Sequence, residues 1–207
     1  MLYLSTIESP TLELLKKLML NAKLKNMRLA GGTALALHIG HRKSIDLDLF
    51  GKIDFNLLEI NELFIDFAKV SSIKRSENIN IFSINGIKVD FVNYSYSWLQ
   101  DIVLFNELRL AGMQDIAAMK LAAITGRGSK KDFVDLYFLL NYFTFAQMLG
   151  FYKQKYPDGS VYLLMKSLTY FEDAETEPMP VMLTDLSWQS IKDSLLETIK
   201  VYNSSLL

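Results

Sequence analysis

The chain predicts an α+β protein, with strands crowded into its first half and helices filling its second, and three observations carry that reading. Asn85-Gly86 stands between two alternating runs, 79–84 and 87–93, the arrangement of a two-residue β-hairpin. Asp46 and Asp48 alternate with Ile45, Leu47 and Leu49, the period of a half-buried strand. From Asp115 onward apolar residues recur at helical spacing and are punctuated by Gly126, Gly128 and Ser129.

Taken in order, Ser9-Pro10 is a helix-start signal, and Leu12, Leu15, Leu18 and Met19 continue it to about residue 24. Residues 27–30 read as a short strand entering Gly31-Gly32. Thr33 is placed to cap a short helix over 33–39, and a second strand spans 44–50. Asp54 can cap a helix running to about 70, with Leu57, Leu58, Phe64, Phe67 and Ala68 available to the core, before a third strand near 73–75 and the hairpin. After Trp98 the expectation is helical throughout: 115–125, a helix capped by Ser129 that carries Phe133, Leu136, Tyr137 and Leu140, then about 144–155, 160–171 and 188–202. The acidic, two-proline stretch 172–180 is expected as a surface loop. No internal repeat is present. The expected division is a core domain at 1–100 and a helical domain at 101–207.

At 207 residues with 50% hydrophobic and 12% aromatic content, the chain can bury a sizeable core. Lys and Arg number 22 against 23 Asp and Glu, so the net charge of -1 offers no general attraction to a polyanion. A nucleic-acid partner must be met by a local basic patch. The chain has no cysteine, which excludes disulfides, thiolate catalysis and Cys-based zinc sites. The first ten residues carry no signal-peptide pattern, and no run approaches the roughly 18 apolar residues of a membrane span. A soluble, cytoplasmic protein with no membrane association is expected.

Residues 29–50, LAGGTALALHIGHRKSIDLDLF, concentrate the chemistry. Gly31 and Gly32 lack a Cβ, so a phosphate can approach the backbone where a following helix presents free N–H groups. Asp46 and Asp48 are alternate residues of one strand and share a face. Carboxylates that close repel one another, and a hard divalent cation converts the repulsion into coordination. Taken alone, the pair also suits the solvated face of an edge strand; the glycine pair upstream favours the metal reading. Asp90 supplies one carboxylate from the second hairpin strand, on the face shared by Lys88 and Val92. Arg42 and Lys43, just before the metal strand, and Ser44 at its start are candidates for phosphate contact, Arg42 ahead of Lys43 through its fork of donors, although a basic loop is also simply solvated. His38 and His41 are read as structural. Tyr94, Tyr96 and Trp98 either stack on a base or pack the junction between sheet and helices.

The stretch GGTALALHIGHRKSIDLDLF, followed by VDFVNY and by DIAAMKLAAITGRGSKKDFVDLYFLL, resembles the AbiEii/AbiGii-type nucleotidyltransferases, within the DNA polymerase β-like superfamily, over roughly residues 25–145. The family includes toxins of toxin–antitoxin and phage-abortive systems. The resemblance implies a polymerase-β-like mixed sheet with flanking helices, followed by a helical C-terminal half, with the two parts joined across the nucleotide cleft. It implies that Gly31, Gly32 and Thr33 cradle the triphosphate and that Asp46, Asp48 and Asp90 bind Mg²⁺, or Mn²⁺ in its place. Lys120, Arg127, Lys131, Asp132 and Asp135 would form the nucleotide's other wall, with Lys130 beside them. Asp132 has an equally good local explanation as a helix-capping partner of Ser129. The implied activity is transfer of NMP from an NTP to a macromolecular hydroxyl. RNA, especially a tRNA 3′ end, is the first acceptor and protein the second, with a cognate antitoxin as a further partner. A small-molecule acceptor and a non-catalytic nucleotide-binding domain are the alternatives.

Overall fold

The period-two alternation around Asp48 resolves, in a computed structural model that describes residues 2–53 and 62–205, into one strand of a mixed sheet. The strands are β1 (Met27–Leu29), β2 (Leu47–Gly51), β3 (Val70–Arg75), β4 (Ile79–Ile84), β5 (Ile87–Asn93), β6 (Val103–Phe105) and β7 (Leu108–Leu110). Among the described residues they lie in the order β3-β4-β5-β2-β1-β7-β6. The helices of the same residues are α1 (Ser9–Leu20), α2 (Gly31–Ile39), α3 (Met113–Gly126), α4 (Lys130–Leu139), α5 (Phe145–Lys155), α6 (Val161–Ser167), α7 (Glu172–Glu175) and α8 (Trp188–Ser204). The α+β class and the mixed sheet are those the sequence predicts.

The chain divides into two compact units, residues 1–96 with 101–112, and residues 97–100 with 113 onward. In the first, β4 and β5 pair antiparallel through the Asn85-Gly86 turn, whose two residues take φ of 52° and 86°, as a tight hairpin turn requires. β2 then pairs parallel with β5 and antiparallel with β1. One face of these strands is apolar and closed. Leu47, Leu49, Val89, Phe91, Phe82 and Ile84 are buried, and Phe64 packs on Phe82 and Phe91 at centroid distances of 4.7 and 6.1 Å. In the second unit Phe133 meets Phe171 at 4.9 Å and Trp188 at 6.0 Å.

Four expectations are corrected. Helical structure does not run on to about 70: Asp54, Leu57 and Leu58 lie outside the described residues, 63–66 are turns, β3 already begins at Val70, and Ala68 is exposed. The region after Trp98 is not all helical, because β6 and β7 form a hairpin there, turned at Asn106 with φ 51°, and add to the sheet beside β1. Three-residue strands are too short to show a period. Arg109 supplies what the pattern could not. Its guanidinium donates to the carbonyls of Met19, Leu24 and Met27 at 2.8–3.0 Å, tying β7 to the end of α1 and the start of β1. Thr33 does not cap α2, for the reason given below. Finally, the acidic stretch expected as loop holds the single turn α7.

Candidate active site

Gly31 is where the backbone must do something only glycine does easily. Ala30 is extended and donates its N–H to the Asp48 carbonyl at 2.9 Å, and Gly31 then takes φ 66° to turn the chain into α2. A Cβ on Gly31 would overlap Asp48 Oδ2 and lie 3.2 Å from its Cγ. The glycine therefore lets the start of α2 come against the Asp48 carboxylate. Because the helix opens at Gly31, Thr33 falls inside its first turn. Its side chain is 1% exposed, donates to the Asp46 carbonyl, and lies 2.8 Å from the Ser44 hydroxyl. Thr33 and Ser44 thus fix the lead-in to β2, and Thr33 does so from a buried position.

Register brings two of the three predicted carboxylates together. Asp48 pairs with Asp90 across the parallel β2–β5 ladder, between the buried pairs Leu47–Val89 and Leu49–Phe91, so both aspartates stand on the face opposite the core. Asp46 precedes Asp48 by two residues, just ahead of the strand, and is half-buried. Asp90 Oδ1 is shielded from solvent and is ion-paired with Lys88 Nζ at 2.6 Å. Lys88 is the positive charge that Asp90 meets. Among the described residues, no three His, Asp or Glu side chains are gathered as a preformed metal group. The fit to a hard divalent cation rests on the pair: carboxylates neighbouring in register on one sheet face, one of them already drawing the Lys88 ammonium to it.

The residues just before β2 are more enclosed than a solvated loop. Arg42 is buried and donates to the Lys43 carbonyl at 2.9 Å, and His41 is buried too. His38 Nε2 lies 2.9 Å from the Ala111 carbonyl; burial lowers its pKa below the usual imidazole range, although that hydrogen bond opposes the shift.

In the second unit, two of the predicted nucleotide-wall residues, Lys120 and Arg127, meet at a third, Asp132. Lys120 Nζ donates to Asp132 Oδ1 at 2.9 Å and reaches Asp135 Oδ2 at 2.6 Å. Arg127 Nε donates to Asp132 Oδ2 at 2.8 Å, and the Ser129 hydroxyl donates to the same oxygen at 2.7 Å. Burial alone would raise the Asp132 pKa. The Lys120 ammonium, the Arg127 guanidinium and the Ser129 hydroxyl outweigh it and hold the carboxyl well below the usual carboxylate range. Ser129 stands at the N-cap position of α4 but spends its hydroxyl on Asp132 and accepts no backbone N–H there. That N–H duty falls elsewhere: Glu177 Oε2 accepts from the Lys130 N–H at 2.8 Å. Lys120, Asp132 and Asp135 are buried, whereas Arg127 and Lys131 are exposed.

The family described as "Nucleotidyl transferase AbiEii toxin, Type IV TA system" matches residues 13–200. The chain belongs to this family. A relative of the same kind of length, protein aq_aa25 of Aquifex aeolicus, is 36% identical over 182 residues, covering 84% of this chain and 86% of that one. Two solved structures share the fold. JHP933 from Helicobacter pylori aligns with TM-score 0.60 at 18% identity over 97% of this chain and 94% of its own. MenT4, a nucleotidyltransferase toxin from Mycobacterium tuberculosis, aligns with TM-score 0.60 at 17% identity over 89% and 81%.

Membership of this nucleotidyltransferase toxin family makes the protein a nucleotidyltransferase, with an NTP as substrate and an antitoxin as partner of the system. No helix among the described residues is long and apolar enough to cross a membrane. Two polar groupings escaped the sequence reading. Asp115 and Lys155 form a fully buried pair at 2.6 Å; Asp115 also accepts the backbone N–H groups of Leu99 and Gln100, and Lys155 donates to the Ser97 carbonyl with Trp98 4.4 Å away. Forty residues separate the partners, and nothing local announces them. The Lys88–Asp90 contact was signalled by their shared strand face.

Proposed function

We propose that the protein transfers NMP from an NTP to a hydroxyl of an RNA acceptor, in a manner suited to a tRNA 3′ end, with Asp46, Asp48 and Asp90 holding Mg²⁺ or Mn²⁺. The observation that carries this reading is the Asp48–Asp90 register pair, with the Asp48 carboxylate standing directly against the Gly31 backbone. When bound, a divalent cation lowers the pKa of a coordinated hydroxyl and neutralises charge developing on the phosphates. The chain's own residues supply position. The opening of α2 at Gly31 and Gly32 faces the triphosphate with backbone N–H groups. Asp48 and Asp90 would hold the cation against which the α-phosphate is placed, and Asp90 takes the proton of the attacking hydroxyl. The acceptor oxygen forms its bond to the α-phosphorus as the bond from that phosphorus to the bridging oxygen breaks, and pyrophosphate leaves.

Within the second unit, Arg127 is the exposed cation held by Asp132 and, with the exposed Lys131 of α4, serves phosphate. Lys120, Asp132 and Asp135 act as a buried frame that positions Arg127. A buried charged set held this tightly is retained more readily for position than for stability.

The test incubates the protein with each α-³²P NTP and total RNA, alongside the same NTPs labelled at the γ-position. Label is expected in RNA from the α-position alone. Label appearing in protein or in a small hydroxyl compound, with RNA unlabelled, would move the reading to that acceptor, and nucleotide binding with no transfer to any acceptor would make the domain non-catalytic.

A further inference from the structure

We infer that Tyr94 and Tyr96 form a stacking platform for the terminal base of a single-stranded RNA acceptor; this deepens the proposed function and rests on it. From the carboxylates, an aromatic series leads off along the strands. Phe50 lies two residues beyond Asp48 on β2, hence on the same face and about 7 Å further along. Its ring meets Tyr94 edge-to-face at 5.2 Å, and Tyr94 meets Tyr96 at 5.4 Å with the planes at 55°. Tyr94 is fixed by donating its N–H to the Gly51 carbonyl at 2.9 Å, while Tyr96 is 47% exposed. The outer tyrosine is the more exposed of the two.

Direction along the sheet selects what that ring would meet. β1 runs antiparallel to β2, with Leu29 opposite Leu49 and Met27 opposite Gly51, so Gly31 lies toward the beginning of β2. Phe50, Tyr94 and Tyr96 lie toward and beyond its end. The phosphate-facing glycines and the tyrosines are therefore on opposite sides of Asp48 and Asp90 along the strand axis. Attacking and leaving oxygens of a phosphoryl transfer stand roughly in line. With pyrophosphate leaving on the glycine side, the attacking hydroxyl arrives from the tyrosine side, and the base attached to it reaches the tyrosines. Every base has a π-face, so such a platform takes an RNA end without demanding one sequence.

The experiment measures fluorescence anisotropy of a 5′-fluorescein, 12-nucleotide single-stranded RNA ending in CCA, titrated with full-length protein, together with the KM for RNA and for NTP in label transfer. Tyr96→Ala is expected to weaken RNA binding and raise the RNA KM about tenfold or more, the scale of losing one base–aromatic stack, with the NTP KM unchanged. Tyr96→Phe and Tyr96→Trp should stay within about threefold of the parent, because the ring and not the hydroxyl carries the contact. RNA labelling by the parent with an unaltered RNA KM in Tyr96→Ala overturns the platform and leaves the function standing. A raised NTP KM in place of the RNA KM also overturns it, since the ring would then meet the nucleotide's base. A parent protein that neither binds nor labels RNA removes the RNA reading and the platform with it.

Discussion

Gly31→Ala separates the two things this glycine does. The first is conformational: at φ 66° an L-residue pays roughly 1–2 kcal/mol for the left-handed backbone. Gly86→Ala imposes a similar backbone penalty at φ 86° with nothing within 4 Å of the added methyl, and so serves as the matched control. The second is steric and belongs to Gly31 alone. Its new Cβ overlaps Asp48 Oδ2, so the carboxylate must swing away from its place beside Asp90. Displacing a reacting or coordinating group by about an ångström costs on the order of a hundredfold in rate. Urea unfolding should show both variants about 1–2 kcal/mol less stable. Label transfer at a temperature where both remain folded should be near the parent's rate for Gly86→Ala and about a hundredfold lower for Gly31→Ala. Equal activities in the two variants would refute the close approach of Gly31 to a working carboxylate.

Three other expectations follow from the framework. Lys155→Met leaves Asp115 charged and buried, and should destabilise the protein by about 3–5 kcal/mol in urea unfolding; adding Asp115→Leu should recover part of that loss. His38 has a lowered folded-state pKa, so below about 6.5 the unfolded chain binds more protons and stability falls with acidification; the melting temperature should drop between pH 7.5 and 5.5, and His38→Gln should flatten that slope. Arg109→Met removes the donors to three backbone carbonyls that tie β7 to α1 and β1, and should cost about 2–4 kcal/mol by the same unfolding assay.

The parts of the fold that could be read in the chain are those whose signal is local. Asn85-Gly86 needs a left-handed turn and fixed the β4–β5 hairpin to the residue. The alternation about Asp48 placed its carboxylate opposite the core, and Gly128, at φ 54°, ended the first C-terminal helix close to where helical spacing stops. What remained hidden depends on partners distant in sequence. β6 and β7 are three residues each and exist as sheet because Leu110 meets Leu29. Thr33 looked like a cap since its type favours caps, but a positive φ at Gly31 opened the helix earlier and sent the threonine inward. The register of Asp48 on Asp90 joins residues 42 apart, and no spacing rule anticipates it; the family resemblance supplied that set, whereas the strand pattern alone offered only a face for each carboxylate. The Lys120–Asp132–Asp135 frame was visible as residue types and not as a buried unit, since a basic, acid-rich helix start reads equally well as a solvated one.

The claim at the centre is that Asp48 and Asp90 share a divalent cation, and Mn²⁺ titration followed by electron paramagnetic resonance, in the presence of a non-hydrolysable NTP, tests it most directly. The parent should bind Mn²⁺, and Asp48→Asn and Asp90→Asn, checked by circular dichroism to be folded, should each weaken that binding at least tenfold. Mn²⁺ binding at parental strength in both variants would contradict the account.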